Sequence, residues 1–299
     1  MNELLCAERK KNKICIIIKL MRAKHYIKNI MIFIPIVFAA KFTNKIDIIR
    51  TIATFISFSF LASFIYIIND IIDVEKDRQH PIKKNRPIAS KEISVNNAIL
   101  ISIILFIISF ILAYFIDTKI IVINLIYLAT NILYSFYLKN IPIIDVSIIA
   151  LGFILRVMAG GSAISVTLSS WLLLTIMVLS FYLGFGKRRN EIIKTDSSIK
   201  TRSVLKAYSI SFLDNAMNLM MTLSIVFYSL WVIDLNKVLN NIKLELFISI
   251  PMVIIGMLRY SLVIEGDSHA DPTDVILSDR MLQIIIIVFT IYIISIYMR

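Results

Sequence analysis

The sequence predicts an all-α membrane protein that crosses the bilayer nine times. Hydrophobic residues make up 58% of its 299 residues, more than a soluble protein of this length needs. They are concentrated in runs of roughly 18–26 residues, the length that crosses about 30 Å of hydrocarbon. An open β-sheet in the bilayer is excluded, because its edges would leave backbone groups unpaired in lipid.

The nine predicted spans differ in strength. The first is the weakest, because only Ile30 to Ala40 is free of charge between Lys28 and Lys41. The eighth carries Glu245 and Arg259 near its two ends. The spans cover residues 29–46, 51–69, 97–116, 120–138, 141–163, 168–186, 208–233, 244–263 and 281–298.

The distribution of basic residues predicts the orientation. With nine spans, 24 of the 32 Lys and Arg residues fall on one side and 7 on the other, while Arg156 lies inside a span. Positive residues accumulate on the cytoplasmic side. We therefore expect a plasma-membrane protein with a cytoplasmic N-terminus and an extracytoplasmic C-terminus. The long polar segments 70–96, 187–207 and 259–280 place function on the cytoplasmic face.

Residues 1–28 form a basic arm before the first span. Its apolar run, Ile14–Ile18, is too short for a signal peptide and lies between two lysines. A short helix lying in the membrane interface is the better interpretation. Cys6 and Cys15 lie on this arm and are expected to be free thiols in a reducing compartment. Residues 29–299 are expected to form a single catalytic domain.

An acidic cluster ends the second span. On a continuous helix, Asn69, Asp73 and Asp77 share one face, with Asp70 beside them. Carboxylates stacked at this spacing repel one another, and a bound cation removes the repulsion. Oxygen donors without His or Cys favour magnesium or calcium. The alternative is a solvated acidic helix end.

Basic residues follow this cluster and recur elsewhere. Lys83 and Arg86 can contact phosphate from the same loop, and Arg offers a bidentate fork. Arg156 lies within a span, where an ionisable side chain is functional by default. Asp145 is eleven residues away, so a direct pair between the two is doubtful. The sequence context of His80 indicates an ordinary loop histidine.

Two further charged segments leave alternatives open. Lys187, Arg188, Arg189 and Glu191 close span six, where basic residues also suit the helix dipole. A second acidic group lies before the last span and is either another metal site or a turn that starts a helix. Its members are Asp267, Asp271, Asp274 and Asp279.

The acidic motif resembles the first motif of the UbiA-type intramembrane prenyltransferase superfamily. The resemblance narrows to its polyprenyl-phosphate phosphoribosyltransferase branch and covers roughly residues 20–290. It rests on several matching stretches besides Asn69–Asp77, namely Arg22–Asn29, Asp77–Pro81 with Lys83 and Arg86–Ala89, Tyr134–Ser135 with Leu138–Lys139, Pro142 with Asp145, Gly152–Gly161, Gly186–Arg188, Arg259–Tyr260 and Asp279–Arg280.

This resemblance implies a UbiA-like fold, with the nine helices around a central cavity under a cytoplasmic loop cap. It implies magnesium-dependent transfer of 5-phosphoribose from phosphoribosyl diphosphate to a polyprenyl phosphate of decaprenyl or undecaprenyl type. Diphosphate would be released, and the product would serve cell-envelope polysaccharide synthesis. The expected partners are these two substrates and the bilayer, with no nucleic acid. Assembly into a homo-oligomer is compatible with the sequence.

The chain departs from the general superfamily after span six. Prenyl-diphosphate users carry a second Asp-rich motif there, whereas this chain reads Lys187-Arg188-Arg189-Asn190-Glu191. A second metal site of three carboxylates is therefore not expected, and the basic residues suit additional phosphate groups. The competing hypotheses are a prenyl-diphosphate-dependent prenyltransferase with an aromatic or glycerol-phosphate acceptor, and a transporter with a regulatory metal site.

We expect the following roles. The metal ligands are Asn69, Asp73 and Asp77. The catalytic residues are Asp73, Asp77, Lys28 and Arg156. The residues that bind substrate are Arg22, Lys24, Lys28, Asn29, Asp70, Arg78, His80, Lys83, Arg86, Tyr134, Lys139, Arg156, Lys187, Arg188 and Glu191.

Overall fold

The computed structural model describes residues 13–81, 83–193, 203–238, 244–266 and 272–298. Within these ranges every regular element is a helix. Cys6, Asp267 and Asp271 lie outside them, as do the first twelve residues of the basic arm. The α-helices are α1 Lys13–Leu20, α2 Ile34–Phe38, α3 Lys45–Ile72, α4 Val74–Gln79, α5 Val95–Ile116, α6 Thr118–Phe136, α7 Ile144–Ala163, α8 Ser170–Ile193, α9 Ile210–Val238, α10 Leu244–Glu265, α11 Pro272–Ser278 and α12 Arg280–Met298.

Eight of the described helices are long and apolar enough to cross a membrane. They are α3, α5, α6, α7, α8, α9, α10 and α12, and they correspond to the second to ninth predicted spans. The chain is therefore a multi-pass membrane protein. The count of nine is not confirmed, because the first predicted span is not one long helix.

The first predicted span folds as two short pieces. A 3₁₀ helix covers Ala23–Phe33 and leads into the five-residue α2, which has Pro35 in its first turn. Proline lacks the N–H of a helix interior, so it favours a new helix start at this point. The 3₁₀ helix crosses the expected domain boundary at residue 28 and packs against α3 and α7.

A glycine permits this packing. A Cβ atom built on Gly160 of α7 would lie 2.1 Å from the carbonyl oxygen of Ile32 in the 3₁₀ helix. Any larger residue would push the two backbones apart. Gly160 therefore holds the 3₁₀ helix against α7 and fixes the position of the basic residues that it carries.

Polar caps and interhelical hydrogen bonds organise the long helices. The side chains of Asn44, Ser94 and Asp117 accept backbone N–H bonds at the starts of α3, α5 and α6. Within the spans, the hydroxyls of Ser57 and Ser109 each donate to the other residue's carbonyl at 2.8 Å. These reciprocal bonds fasten α3 to α5 in the absence of a hydrophobic driving force.

Helix α1 covers the apolar run for which an interfacial helix is predicted. Its apolar side chains Ile14, Ile17 and Ile18 are exposed, whereas Leu20 is fully buried against Ile67 and Ile88. Cys15 is a free, exposed thiol. Buried Leu20 attaches the helix to the body of the protein and leaves an isoleucine face for lipid.

Candidate active site

A cavity of about 400 Å³ lies between the 3₁₀ helix and helices α3, α6, α7, α8 and α11. Among the described residues, no carboxylate lines it. Its walls combine positive charge with aromatic surface. The basic lining residues are Arg22, His25, Lys28, Arg156 and Lys187, and the aromatic ones are Tyr66, Tyr127, Tyr134 and Phe153.

Arg156 is buried in one wall of this cavity, with 6% of its surface exposed. Its Nε donates to Asn29 Oδ1 at 2.7 Å, and its Nη2 donates to the hydroxyl of Tyr127 at 3.0 Å. Its Nη1 donates to the carbonyl of Gly152 at 2.6 Å. Asp145 is not its partner, as the spacing indicated. The described residues that hold this guanidinium are all neutral, so they do not offset its positive charge at the cavity wall.

Aromatic rings hold the Arg156 guanidinium in place. Its Cζ lies 5.0 Å from the ring centre of Tyr127 and 5.5 Å from those of Phe58 and Phe153. Such contacts attract a cation through the ring quadrupole. Within the described part of the chain, no carboxylate is in contact with the arginine. These contacts hold a buried guanidinium in place at the cavity wall on α7.

The acidic cluster at the end of α3 lies beside this cavity. Asp70 and Asp77 are both buried, with 3% of each residue exposed. Nη1 of Arg86 donates to Asp70 Oδ1 at 3.0 Å and to Asp77 Oδ2 at 2.5 Å. Arg22 donates a further short hydrogen bond to Asp70. Two carboxylates thus converge on one guanidinium nitrogen.

Arg22 connects the cavity with the acidic cluster. Its side chain lines the cavity, pairs with Asp70 and lies over the ring of Tyr66, 5.1 Å from its centre. Its backbone has φ 53° and ψ 47°, the left-handed conformation. A non-glycine residue adopts this region only when its surroundings hold it there, which is common at functional sites. This conformation starts the 3₁₀ helix and aims the guanidinium at the acidic cluster.

The predicted metal ligands are arranged differently from a continuous helix. Helix α3 ends at Ile72, and Asp73 caps it before α4 begins at Val74. The side chain of Asp73 is 38% exposed and lies 3.6 Å from Lys76. Asp70, ranked behind Asp73 by helical geometry, instead faces Asp77. Asn69 keeps its position at the end of α3, where its carbonyl accepts from Asp73 N.

Asp70 and Asp77 suit a magnesium ion that takes its remaining ligands from water and phosphate. Among the described residues, no group of three His, Cys, Asp or Glu side chains could by itself hold a metal. Magnesium, however, usually takes only one or two protein carboxylates, together with waters and substrate phosphates. Asp70 and Asp77 supply hard oxygen donors that already reach one common cationic group.

Arg188 has a different position from the one its sequence context indicated. Its side chain is completely buried. It donates to Asp145 at 2.6 Å, to Glu191 at 2.6 Å and to the hydroxyl of Tyr134 at 3.3 Å. The guanidinium therefore links α6, α7 and α8 and orients Tyr134 at the cavity wall. Arg188 is not among the residues that line the cavity, whereas Tyr134, which it contacts, is one of them.

Tyr208 completes the pairing of Asp145. Its hydroxyl donates to the second carboxylate oxygen of Asp145 at 2.7 Å and accepts from Ile143 N at 2.5 Å. Burial raises the pKa of the Tyr208 phenol, so it stays protonated and can donate. Ile143 has φ 68°, an outlier for a β-branched residue. This bond fixes the strained turn before α7.

Other predicted residues lie outside the cavity wall. Lys24 pairs with Asp274 at 2.6 Å, and Arg78 pairs with Glu75 at 2.5 Å. Nδ1 of His80 accepts from Lys83 N at 3.3 Å. Lys139 lies in a short 3₁₀ turn after α6. Asp274 lies in the first turn of α11, and Asp279 pairs with Arg259. The other two members of this acidic group, Asp267 and Asp271, lie outside the described residues.

Several lining residues were not predicted. Tyr127 and Asn131 face the cavity from α6, beside Tyr134, which was predicted. The three residues are spaced i, i+4 and i+7 and therefore share a single helix face, which is a signal that the sequence contains. Tyr66 precedes Asp70 by four residues and shares its face of α3. Ile276 of α11 reaches the cavity from a distant segment, and periodicity offers no signal for it.

The same chain matches a known family over most of its length. A sequence profile described as the UbiA prenyltransferase family matches residues 30–275. The chain belongs to the UbiA prenyltransferase family. The expectation drawn from the first acidic motif is thereby confirmed at the level of the family.

Curated relatives of this UbiA chain are similar over nearly its whole length. A decaprenyl-phosphate phosphoribosyltransferase of Corynebacterium glutamicum is 33% identical, and the match covers 90% of this chain and 82% of that protein. The protein of the same name from Mycolicibacterium smegmatis is 30% identical, with 92% and 90% covered. The resemblance to this branch is confirmed.

Solved structures share the fold. A UbiA homolog from Archaeoglobus fulgidus bound to GPP and Mg²⁺ has a TM-score of 0.70 at 18% identity, covering 94% of this chain and 99% of that one. A structure described in connection with digeranylgeranylglyceryl phosphate synthase has a TM-score of 0.61 at 22% identity, covering 95% and 98%. The UbiA-like helical architecture is therefore confirmed.

The buried Arg188 group gives a testable consequence for stability. Arg188→Gln leaves Asp145 and Glu191 without their cation, and breaking a buried pair from one side costs about 3–5 kcal/mol. Arg189→Gln is the matched control, because its partner Asp214 is 43% exposed and an exposed pair contributes about 0–1 kcal/mol. Thermal unfolding in detergent should separate the two variants clearly. Equal unfolding temperatures would contradict the structural role of Arg188.

Proposed function

We propose that this protein transfers 5-phosphoribose from phosphoribosyl diphosphate to a polyprenyl phosphate and releases diphosphate. Relatives named decaprenyl-phosphate phosphoribosyltransferase, similar along almost the whole chain, support this reaction. The observation that carries the proposal is the junction at Arg22, where a pair of buried carboxylates adjoins a cavity wall of positive charge.

The positive charge around the cavity suits the phosphate groups of the two proposed substrates. Phosphoribosyl diphosphate carries a diphosphate and a 5-phosphate, and the acceptor lipid carries another phosphate. We place the diphosphate beside Asp70 and Asp77, with Arg22 and Arg86 as its basic contacts. We assign the other two phosphates to the wall formed by Lys28, Arg156 and Lys187, because no carboxylate among the described residues lines the cavity to repel them.

Asp77 and Asp70 would hold the magnesium ion, with Asp73 and Asn69 as the neighbouring oxygen donors. When bound, the metal would neutralise negative charge on the diphosphate leaving group. The chain's own residues supply the remaining electrostatic stabilisation. Arg22 contacts the acidic cluster and the cavity at once, so it can follow the negative charge that develops on the departing diphosphate.

The chemical step exchanges one carbon–oxygen bond for another. The bond from the anomeric carbon to the diphosphate oxygen breaks, and an oxygen of the acceptor phosphate bonds to that carbon. The transition state has oxocarbenium character. The acceptor is a phosphomonoester with a second pKa of about 6, so it is largely ionised at neutral pH. No protein base is required, and the residues position the two reactants.

A prenyl diphosphate is the competing donor, because the Archaeoglobus fulgidus homolog of the same fold was solved with GPP and Mg²⁺. The end of α8 argues against it. Glu191 is engaged by the buried Arg188, and Lys187 faces the cavity. A second metal position there would have to separate Glu191 from Arg188. The basic wall instead matches a donor with an additional phosphate.

The proposal includes an orientation. We place the N-terminus and the active site in the cytoplasm, where a soluble sugar diphosphate is available, with residues 1–28 as a basic arm and 29–299 as the catalytic domain. An alkaline phosphatase fused after the last residue should then be active, and one fused at 81, after α4, inactive. The reverse activities would contradict the orientation.

The reaction itself can be tested with purified protein. Diphosphate release from phosphoribosyl diphosphate should require both a polyprenyl phosphate and Mg²⁺, and the lipid product should gain one phosphopentose. Equal activity with a prenyl diphosphate and an aromatic or glycerol-phosphate acceptor would contradict the proposed donor.

Substitutions in the acidic cluster sharpen this assay. Asp77→Asn removes one charge from the buried pair and should lower turnover by at least about a hundredfold, the scale reported for loss of one electrostatic contact at a reacting group. Glu75→Gln is the control, because Glu75 is exposed on the same short helix and pairs only locally with Arg78. Near-normal turnover of Asp77→Asn, or an equal loss in Glu75→Gln, would refute the assignment.

A further inference from the structure

We propose that Arg86 is a resident counter-cation of the acidic cluster, which keeps divalent metal out until a diphosphate arrives. On this account the metal and the donor bind together, and Arg86 transfers from the carboxylates to the phosphates as they do so. The inference deepens the proposed function and depends on it for the identity of the donor as a diphosphate.

The first argument is geometric. One nitrogen of Arg86 lies 3.0 Å from Asp70 Oδ1 and 2.5 Å from Asp77 Oδ2. Those are the two buried oxygens best placed to bind a cation. A metal ion needs the same oxygens, and two positive groups cannot share them without strong repulsion at this separation. Arg86 and the metal are therefore alternatives at this position.

The second argument is the balance of charge. The carboxylates of Asp70, Asp73 and Asp77 are matched by three cations, because Arg22 and Arg86 pair with the buried pair and Lys76 lies near Asp73. The cluster is thus electrically neutral without metal. Neutralisation removes the repulsion that was expected to require a metal ion, so the empty enzyme has little affinity left for one.

The third argument is the mobility available to Arg86. Its side chain is 28% exposed, whereas the two carboxylates that it bridges are 3% and 4% exposed. The residue follows the short 3₁₀ turn Lys83–Asn85 at the surface. A partly exposed arginine can rotate without dismantling the core. Arg22 also donates to Asp70 Oδ1, so rotation of Arg86 frees Asp77 Oδ2 while Asp70 keeps its contact with Arg22.

A diphosphate supplies what the exchange requires. Guanidinium binds phosphate through two parallel hydrogen bonds, at least as well as it binds two separate carboxylates. Arg86 can therefore leave Asp70 and Asp77 without becoming an unpaired charge. The oxygen freed on Asp77 would then be available to the metal beside the phosphates. Every charge remains paired before and after the exchange.

The experiment measures Mn²⁺ binding by electron paramagnetic resonance, on the full-length protein in nanodiscs, with and without inorganic diphosphate. Titrations are corrected for the complex of Mn²⁺ with free diphosphate. Wild-type protein should bind Mn²⁺ at least about tenfold more tightly when diphosphate is present, which corresponds to about 1.4 kcal/mol of coupling. Arg86→Gln should bind Mn²⁺ alone at least about tenfold more tightly than wild type and should lose most of the diphosphate effect.

Lys84→Gln is the matched control, since it removes the same charge from an exposed position two residues away. It should behave as wild type. The proposal is overturned if Arg86→Gln binds Mn²⁺ no more tightly than wild type, or if Lys84→Gln gains as much affinity. If Arg86→Gln does not fold, Arg86→Lys replaces it. It should show a gain of about threefold, because an ammonium lacks the fork, and wild-type affinity would again overturn the proposal.

This readout is independent of sugar transfer. Loss of the proposed phosphoribosyl activity with an intact link between Mn²⁺ and diphosphate would reject the donor and leave the exchange standing. Normal phosphoribosyl transfer with no such link would reject the exchange alone.

Discussion

The pairing of buried charge is the constraint on which this structure depends. In a bilayer or a closed core, an ionised side chain is costly without a compensating partner. Asp145 and Glu191 are matched by Arg188, and Asp70 and Asp77 by Arg86 and Arg22. These groups connect helices that are distant in sequence. They hold together the elements that form and adjoin the cavity wall.

Arg156 is the exception that gives the cavity its character. Its hydrogen-bond partners are an amide oxygen, a backbone carbonyl and a phenol, and its neighbours are aromatic rings. It is thus solvated by the protein but not neutralised. A site that leaves a buried cation uncompensated is prepared for an anion. The nearby lysines of the 3₁₀ helix and α8 extend this preference over a surface large enough for more than one phosphate.

Much of the fold was predictable from the sequence, because the length and charge of apolar runs report directly on the bilayer. Eight predicted spans correspond to eight helices, although α3 begins well before its predicted span and α8 ends well after its own. The first span was predicted less well. Its charges at Lys28 and Lys41 indicated weakness, but neither periodicity nor composition could reveal a 3₁₀ helix held by contact between Gly160 and Ile32. That contact depends on tertiary packing.

In the site, too, local sequence predicted some features and tertiary packing decided the others. Local spacing grouped the acidic residues and singled out Arg156, which lies in the cavity wall. It could not show that α3 ends at Ile72, and this break places Asp70 rather than Asp73 opposite Asp77. Nor could it show that Arg188 is wholly buried, because a basic residue after a span looks the same whether it faces solvent or a distant carboxylate. Pairings across more than forty residues require the fold.

The most direct test of the account is a cryo-electron microscopy structure with phosphoribosyl diphosphate, Mn²⁺ and a polyprenyl phosphate bound under non-turnover conditions. The account predicts the diphosphate and the metal beside Asp70 and Asp77, with Arg86 turned onto the phosphates and the acceptor phosphate within reach of Lys28, Arg156 or Lys187. A metal-free diphosphate bound among Lys28, Arg156 and Lys187, with Arg86 still on its two carboxylates, would contradict it.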